Sequence, residues 1–429
     1  MKVSQTSQPG YKSKSKLNHP QRLTKEEISR IFPSRIFLSV HNSYRVSMKA
    51  YRMSFVAVIF IALLAFEARA TGQSTLIKHI LQSTQQRYAP DRRTAVFYIS
   101  YKQTKTGIVL FGEVDALAAK NALIDALHMN LKEEVVDSIR VLPDQTLGNY
   151  RNGIVIIDVG DIRHEPRKQG ELVTQVLMGA VVKLLKKAGG YYFIQMPDQY
   201  LGWIDSASLS MTDQTDVKTW NTARKVIITE LKCIIRKTPD SSSVPLCNVV
   251  AGCILKSGGK NNGWTMVELA DGRKGFVLDS FVQDLDEWNK SRMLTGENLE
   301  KTAKALLGIP YLWGGTSVKG MDCSGFVKMV YRLNGMELRR DADQQADQGT
   351  PINPGKNFEN LQKGDILFFG RQARGKQSKR ITHVGLSIGN RLFIHSSGRV
   401  RLSSLDPSST YFEESLLNRF VRARRIIPK

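Results

Sequence analysis

The chain is 429 residues long, 41% hydrophobic, and carries a formal net charge of +23. Two to four domains are expected at that length, and the apolar fraction is enough to give them sizeable cores. The charge does not read as nucleic-acid binding: residues 1–52 hold eleven Lys/Arg against Glu26 and Glu27, and the remaining charge of about +14 includes no basic run interleaved with aromatics. It suits an anionic cell-wall polymer or membrane surface, with no nucleic-acid partner.

Met48–Ala70, MKAYRMSFVAVIFIALLAFEARA, has a basic start at Lys49 and Arg52, an apolar run from Phe55 to Phe66, and the small-x-small pattern Ala68-Arg69-Ala70. This is the layout of a secretory signal peptide cleaved after Ala70, and twelve apolar residues are too few for a comfortable membrane span. Export to the periplasm or outside the cell follows, with no stable membrane span after signal removal and no nearby cysteine for a lipid anchor. A signal starts a chain, so residues 1–47 read as a non-native or disordered leader, with Met48 or Met53 as the true start. In the oxidising compartment so implied, one pair among Cys233, Cys247 and Cys253 can be bridged, and the spacing does not say which. Zinc is not expected there, because CxxC spacing and a nearby His are both missing.

Residues 74–150 read as a small α+β domain. Thr94–Tyr101 and Thr106–Phe111 alternate as strands. Asp115–Leu131 places Ala116, Ala119, Leu123, Leu127 and Leu131 on one helical face, and Val136–Leu142 closes the unit as a strand. No catalytic residue types cluster in it, so a structural or partner-binding role is expected. Residues 151–215 and 225–287 then repeat a texture of short strands and Gly/Asn/Asp turns. Gly202-Trp203-Ile204 in the first matches Gly275-Phe276-Val277 in the second. A period of about 70 residues with this texture resembles tandem bacterial SH3-like barrels.

Residues 295–429 hold the chemistry. Cys323 stands where a Gly-rich loop runs into a helix whose Phe326, Val327, Val330 and Tyr331 form a face to bury. The first turn of a helix offers unpaired N–H groups and the positive end of its dipole, and both favour a thiolate nucleophile. Downstream, KGDILFF (363–369), ITHVGLSI (381–388) and RLFIH (391–395) read as strands, the last two carrying His383 and His395. That order fits a Cys-His-X site with His383 as general base and His395 orienting it. The hairpin register tests it. A two-residue turn at Gly389-Asn390 would put the histidines on opposite faces; a three-residue loop, Gly389-Asn390-Arg391, pairs His395 with Gly385 and is predicted.

PYLWGG, DCSGF, GDILFF and HVGLSIGNRLFIH are together similar to the NlpC/p60 family of bacterial cell-wall cysteine peptidases, over roughly Leu299 to the C-terminus. The resemblance implies an α+β architecture: a papain-like catalytic domain preceded by the two SH3-like barrels and the N-terminal α+β domain. It assigns the nucleophile to Cys323, the base to His383 and the orienting role to His395, with no metal or cofactor. In the subgroup that cuts free stem peptides, the first barrel narrows the cleft and helps hold the substrate's terminal amine. The matching residue types are Glu165, with Glu171 as runner-up, Tyr200 and Asp341. A confined ammonium needs carboxylate and phenol partners to offset its lost hydration. Trp313 would wall the cleft, and Asp322 and Ser324 would hydrogen-bond the D-glutamyl group. The Cys323 N–H, with Tyr311, would meet the oxyanion. The activity so implied is a monomeric cysteine endopeptidase for the γ-D-glutamyl to diamino-acid bond of peptidoglycan stem peptides with a free N-terminal L-Ala. Alternatives are a D,L-endopeptidase on intact wall, an inactive wall-binding protein, and acyl transfer to an amine. Whether the diamino acid is meso-diaminopimelate or lysine stays open.

Overall fold

β-branched and aromatic residues alternating with polar ones give the first strands of a computed structural model that describes residues 72–371 and 380–427. Residues 1–47 and 48–70, expected as a leader and a signal peptide, lie outside the described residues. After α1 (residues 72–88), β1 (Phe97–Gln103) pairs antiparallel with β2 (Gly107–Val114). Next, α2 (Leu117–Asn130) crosses over, so that β3 (Glu134–Val141) returns parallel to β2. Ala119, Leu123 and Leu127 of α2 are buried with Ile77, Ile108 and Leu110, while Ala116 and Leu131 pack only partly, at the helix ends. No helix among the described residues is long and apolar enough to cross a membrane.

The repeat is reproduced strand for strand. The first copy comprises β4 (Asn152–Val155), β5 (Val159–Arg163), β6 (Leu172–Leu177), β7 (Val181–Ala188), β8 (Tyr191–Gln195), β9 (Leu201–Asp205) and β10 (Leu209–Thr212). After α3 (Gln214–Thr222), the second comprises β11 (Lys225–Ile228), β12 (Lys232–Arg236), β13 (Pro245–Val250), β14 (Ile254–Asn261), β15 (Trp264–Glu268), β16 (Lys274–Leu278) and β17 (Val282–Asp284). The sheet orders, β10-β4-β7-β8-β9-β5-β6 and β17-β11-β14-β15-β16-β12-β13, are the same. Cys233, Cys247 and Cys253 are all free thiols, as is Cys323.

The C-terminal part adds α4 (Leu285–Ser291), α5 (Gly296–Ala305), the short pair β18 (Thr316–Ser317) and β19 (Gly320–Met321), α6 (Cys323–Arg332) and α7 (Ala342–Gln345). Its sheet contains β20 (Thr350–Ile352), β21 (Ile366–Arg371), β22 (Arg380–Gly389), β23 (Leu392–Ser397), β24 (Arg399–Ser404) and β25 (Phe420–Arg425) in the order β20-β25-β21-β22-β23-β24. Phe326, Val327, Val330 and Tyr331 of α6 are fully buried, each worth about 1.5–3 kcal/mol of transfer free energy. The rest of α6 is covered too, because the second barrel brings Val250, Ala251 and Cys253 into the same core. Lys328 is the charged residue this burial traps, and it pairs with Asp198 of the first barrel at 2.9 Å.

The hairpin register corrects one detail. Leu386 pairs with Ile394 and Ser387 with Phe393, which is the step that aligns Gly385 with His395. The turn itself has two residues, Asn390 and Arg391, both at positive φ (51° and 62°), and closes on Gly389 opposite Leu392. A bulge at Ile388 absorbs the extra residue that a three-residue loop was expected to supply.

The units are stitched together around one face of the first barrel. Leu201 N–H donates to the Arg93 carbonyl at 2.8 Å, and the Gln195 amide donates to the Thr94 carbonyl at 3.0 Å. Thr316 gives its N–H to Gln175 Oε1 at 3.0 Å and its hydroxyl to the Gln175 carbonyl at 3.1 Å. Gly314, at φ +77°, passes so near Leu172 that a Cβ would lie 2.2 Å from the Leu172 carbonyl oxygen.

Candidate active site

The nucleophile is set by an N-cap. Asp322 precedes Cys323 and accepts the Gly325 N–H at 2.7 Å, which starts α6 at the cysteine. Its two oxygens also take Arg340 Nη1 and Nη2 at 3.2 and 2.5 Å, Ser324 Oγ at 3.2 Å and the Gly314 N–H at 3.0 Å. Ser324 in turn accepts from Arg340 Nη1 at 2.8 Å. Both side chains are thus committed to holding the loop. The D-glutamyl contacts expected of Asp322 and Ser324 would have to compete with a buried guanidinium.

Cys323 is not the ready thiolate expected of a helix start. Burial pushes its thiol up to about 12, and the Asp322 carboxylate adds to that. The N–H groups of Val384 and Ser324, with the Arg340 charge, pull the other way without overcoming it. A thiol at rest needs a base at the moment of attack.

That base comes from the sheet. His383 and His395 share a face of β22 and β23 with only Gly385 between them. A Cβ on Gly385 would sit 3.3 Å from His395 Cβ and 2.9 Å from Phe393, so the missing side chain leaves room for the rings. His383 Nε2 lies 2.7 Å from His395 Nδ1, and His395 Nε2 lies 3.0 Å from Ser403 Oγ. Ser403 continues to Glu413 at 3.5 Å, and Glu413 is paired with Arg401 at 2.7 Å. The tautomer with Nε2–H on both rings lets each group donate to the next and leaves His383 Nδ1 as the basic lone pair. Burial, with Arg419 and Arg401 nearby, holds His383 down to about 4. Burial, His383 and Arg401 hold His395 down to about 2. Both rings are therefore neutral at neutral pH.

Cys323 and His383 open into a cleft of about 540 Å³. One wall carries Tyr311, Trp313 and Gly314; a second carries Arg380, Ile381 and Thr382. The first barrel supplies Glu171, Val173 and Tyr200, and the start of α7 supplies Asp341 and Asp343. Trp313 remains largely exposed, its indole N–H donating to Glu171 Oε1 at 2.8 Å. Tyr200 donates to Asp341 Oδ2 at 3.0 Å. Burial raises the Asp341 carboxyl, opposed by Arg340 and Arg93, and burial with Asp341 raises the Tyr200 phenol. Tyr311 is pushed up to about 12, by burial first and then by Cys323 and Asp322, so it stays a hydrogen-bond donor.

Glu165 is not in the cleft. It begins the loop beyond the β5–β6 neck and pairs in solvent with Arg167. Glu171 stands at the neck, where its carbonyl accepts the His164 N–H at 2.9 Å, and its side chain turns inward. The runner-up thus holds the place first given to Glu165. Arg340, Ser403, Glu413 and Arg380 escaped sequence reasoning. Only Ser403 left a signal: with His395 paired to Arg401, a residue two further along β24 shares the face of His395.

The NlpC/P60 family model matches residues 308–421, and the model for the bacterial dipeptidyl-peptidase Sh3 domain matches residues 162–209. The chain is 28% identical over 274 residues to a Lysinibacillus sphaericus protein named dipeptidyl-peptidase 6, covering 62% of this chain and 96% of that one. It is 30% identical over 253 residues to a Bacillus subtilis protein named gamma-D-glutamyl-L-lysine dipeptidyl-peptidase, covering 57% and 78%. A crystal structure of a NlpC/P60 family protein from Bacillus cereus shares the fold, with a TM-score of 0.55 and 22% identity over 65% of this chain and all of that one. With the cysteine, the paired histidines and the barrel-lined cleft in place, the chain belongs to the NlpC/P60 family and is a peptide-bond hydrolase that carries an SH3 domain of the bacterial dipeptidyl-peptidase type.

Proposed function

We propose that this protein is a cysteine endopeptidase that cleaves the γ-D-glutamyl to diamino-acid bond of peptidoglycan stem peptides bearing a free N-terminal L-Ala. The observation that carries this reading is the shared cleft. Cys323 and His383 share one cleft with Tyr200, Asp341 and Glu171, whose carboxylates and phenol suit an ammonium. The name of the Bacillus subtilis relative, gamma-D-glutamyl-L-lysine dipeptidyl-peptidase, supports the choice of bond.

Cys323 Sγ attacks the γ-carbonyl carbon while His383 Nδ1 takes the thiol proton. The oxyanion forms against the Cys323 N–H and the Tyr311 hydroxyl. His383 then gives the proton to the departing amine, and water attacks the thioester with His383 again as base. Action in the periplasm or outside the cell belongs to the same reading, as does the use of cell-wall peptides released during turnover.

The test is hydrolysis of L-Ala-γ-D-Glu-diaminopimelate, and of its lysine counterpart, each with the alanine amine free or acetylated. Cleavage of the free-amine peptides alone is expected. Equal cleavage of both forms would replace this reading with an endopeptidase of intact wall.

A further inference from the structure

The N-terminal α+β unit reaches the catalytic cleft through one side chain. Its strap between α1 and β1 is folded by Asp91, which accepts the Arg93 N–H at 2.9 Å, and is pinned to the catalytic domain by the Gln344 amide at 2.6 Å. From this strap the Arg93 guanidinium uses all five of its N–H groups. Nε and Nη2 bind Asp91 at 2.9 and 2.8 Å, Nη1 and Nη2 bind Asp343 at 2.8 and 2.9 Å, and Nη1 binds Asp341 Oδ2 at 2.9 Å.

Arg93 does not line the cleft; it stands behind Asp341, beside a neighbouring cavity that shares Tyr200. Tyr200 and Arg93 both engage Oδ2. The other oxygen, Oδ1, is 4.0 Å from Arg340 Nη1, near enough to be drawn toward it and far enough to accept from a ligand. Asp341 and Asp343 are like charges within one short helical turn, with a second guanidinium, Arg340, on the opposite side. Without Arg93 the two carboxylates would repel each other unscreened, and Asp341 would be drawn toward Arg340 and away from its place against Tyr200.

We infer that Arg93 is a positioning residue for the amine subsite. The N-terminal unit, through this one fork, holds the Asp341 carboxylate where a substrate ammonium meets it together with Tyr200 and Glu171. This rests on the free-amine reading proposed above. It gives the N-terminal unit a part in substrate selection, although the residues lining the cleft all belong to the first barrel and the catalytic domain.

The experiment compares the full chain with its R93Q and R93K variants on L-Ala-γ-D-Glu-diaminopimelate and on the N-acetylated peptide, with iodoacetamide labelling of Cys323 alongside. In R93Q, KM for the free-amine peptide should rise about tenfold with kcat within about twofold, the size of one lost charge-assisted hydrogen bond. The acetylated peptide should stay uncleaved, the labelling rate should not change, and R93K should recover part of the loss. D91N keeps Oδ1 as the acceptor for Arg93 Nε but loses the Oδ2 bonds to Arg93 Nη2 and to the Gln344 amide, at a distance from the cleft. It should raise KM in the same direction by less, which keeps the test open if R93Q does not fold. An unchanged KM in R93Q with the wild-type preference intact would overturn this inference alone. A fall in kcat on the free-amine peptide together with slower labelling would show a merely structural role and overturn it as well. A wild-type enzyme indifferent to acetylation would remove the free-amine reading and this inference with it.

Discussion

His383 and His395, twelve residues apart, meet edge to face with 2.7 Å between Nε2 and Nδ1 and an interplanar angle of 88°. Because Nε2 of His383 is spent on that contact, its chemistry is left to Nδ1. The order of losses follows. Cys323→Ala should abolish turnover, and His383→Ala should lower kcat by about 10²–10⁴-fold, the usual worth of a general base. His395→Asn keeps an acceptor for His383 and should cost about tenfold, with Ser403→Ala costing less. Single-turnover rates on the free-amine tripeptide would rank them. A His395→Asn loss as large as that of His383→Ala would mean that His395 itself moves the proton.

Low histidine values have a direct pH consequence. The working base is neutral imidazole, and burial keeps His383 near 4. The acid limb of kcat/KM should therefore fall near pH 4, whereas an unperturbed histidine would place it near 6.5. At pH 5 the enzyme should retain most of its activity, where an ordinary imidazole is about 97% protonated. Stability moves the same way. The unfolded chain binds more protons than the native one between the two values, so native stability should decline as pH falls from 6.5 toward 4 and this contribution should level off below that. A kcat/KM profile and a thermal-melt series from pH 3.5 to 8 read out both.

Asp322 and Arg340 form a pair whose side chains are 10% and 2% exposed. Removing either partner strands the other. Arg340→Met or Asp322→Ala should destabilise the catalytic domain by about 3–5 kcal/mol, the cost of breaking a buried pair. Asp322→Ala also removes the α6 cap, a further loss of about 1 kcal/mol. Urea unfolding followed by far-ultraviolet circular dichroism would measure the difference.

Glu165 and Glu171 should separate cleanly in kinetics. Glu165→Gln changes a solvent-exposed pair and should leave KM unchanged. Glu171→Gln removes a cleft carboxylate and weakens the acceptor for Trp313; about three- to tenfold in KM for the free-amine peptide is expected. Steady-state kinetics on that peptide decides between the two positions.

Much of the site was legible because its determinants are local. A cysteine at a loop-to-helix junction and two histidines in period-2 strands declare their elements, and the spacing between the histidines left two registers to weigh. The Glu165 choice failed because both glutamates flank the same hairpin loop, and composition does not reveal which one the neck turns inward. Ready ionisation of Cys323 failed for a different reason. The helix-start argument was sound, but the burial of the thiol and the adjoining Asp322 outweigh it. Arg340 returns eighteen residues to Asp322, and Arg93 meets Asp341 across 248 residues. No periodicity or motif carries information over such separations.

The identical strand orders of the two barrels let their positions be compared one for one. Superposing the repeats through their Gly-aromatic steps places Arg273 where the first copy has Tyr200, and Val244 where it has Glu171. Arg273 donates to the Ile156 carbonyl of the first barrel at 3.0 Å, and Val244 is 62% exposed. One copy of the repeat thus lines the cleft, and the other braces it from outside. A chimera carrying the second copy in both positions would keep the strand order and strip the cleft of Glu171 and Tyr200.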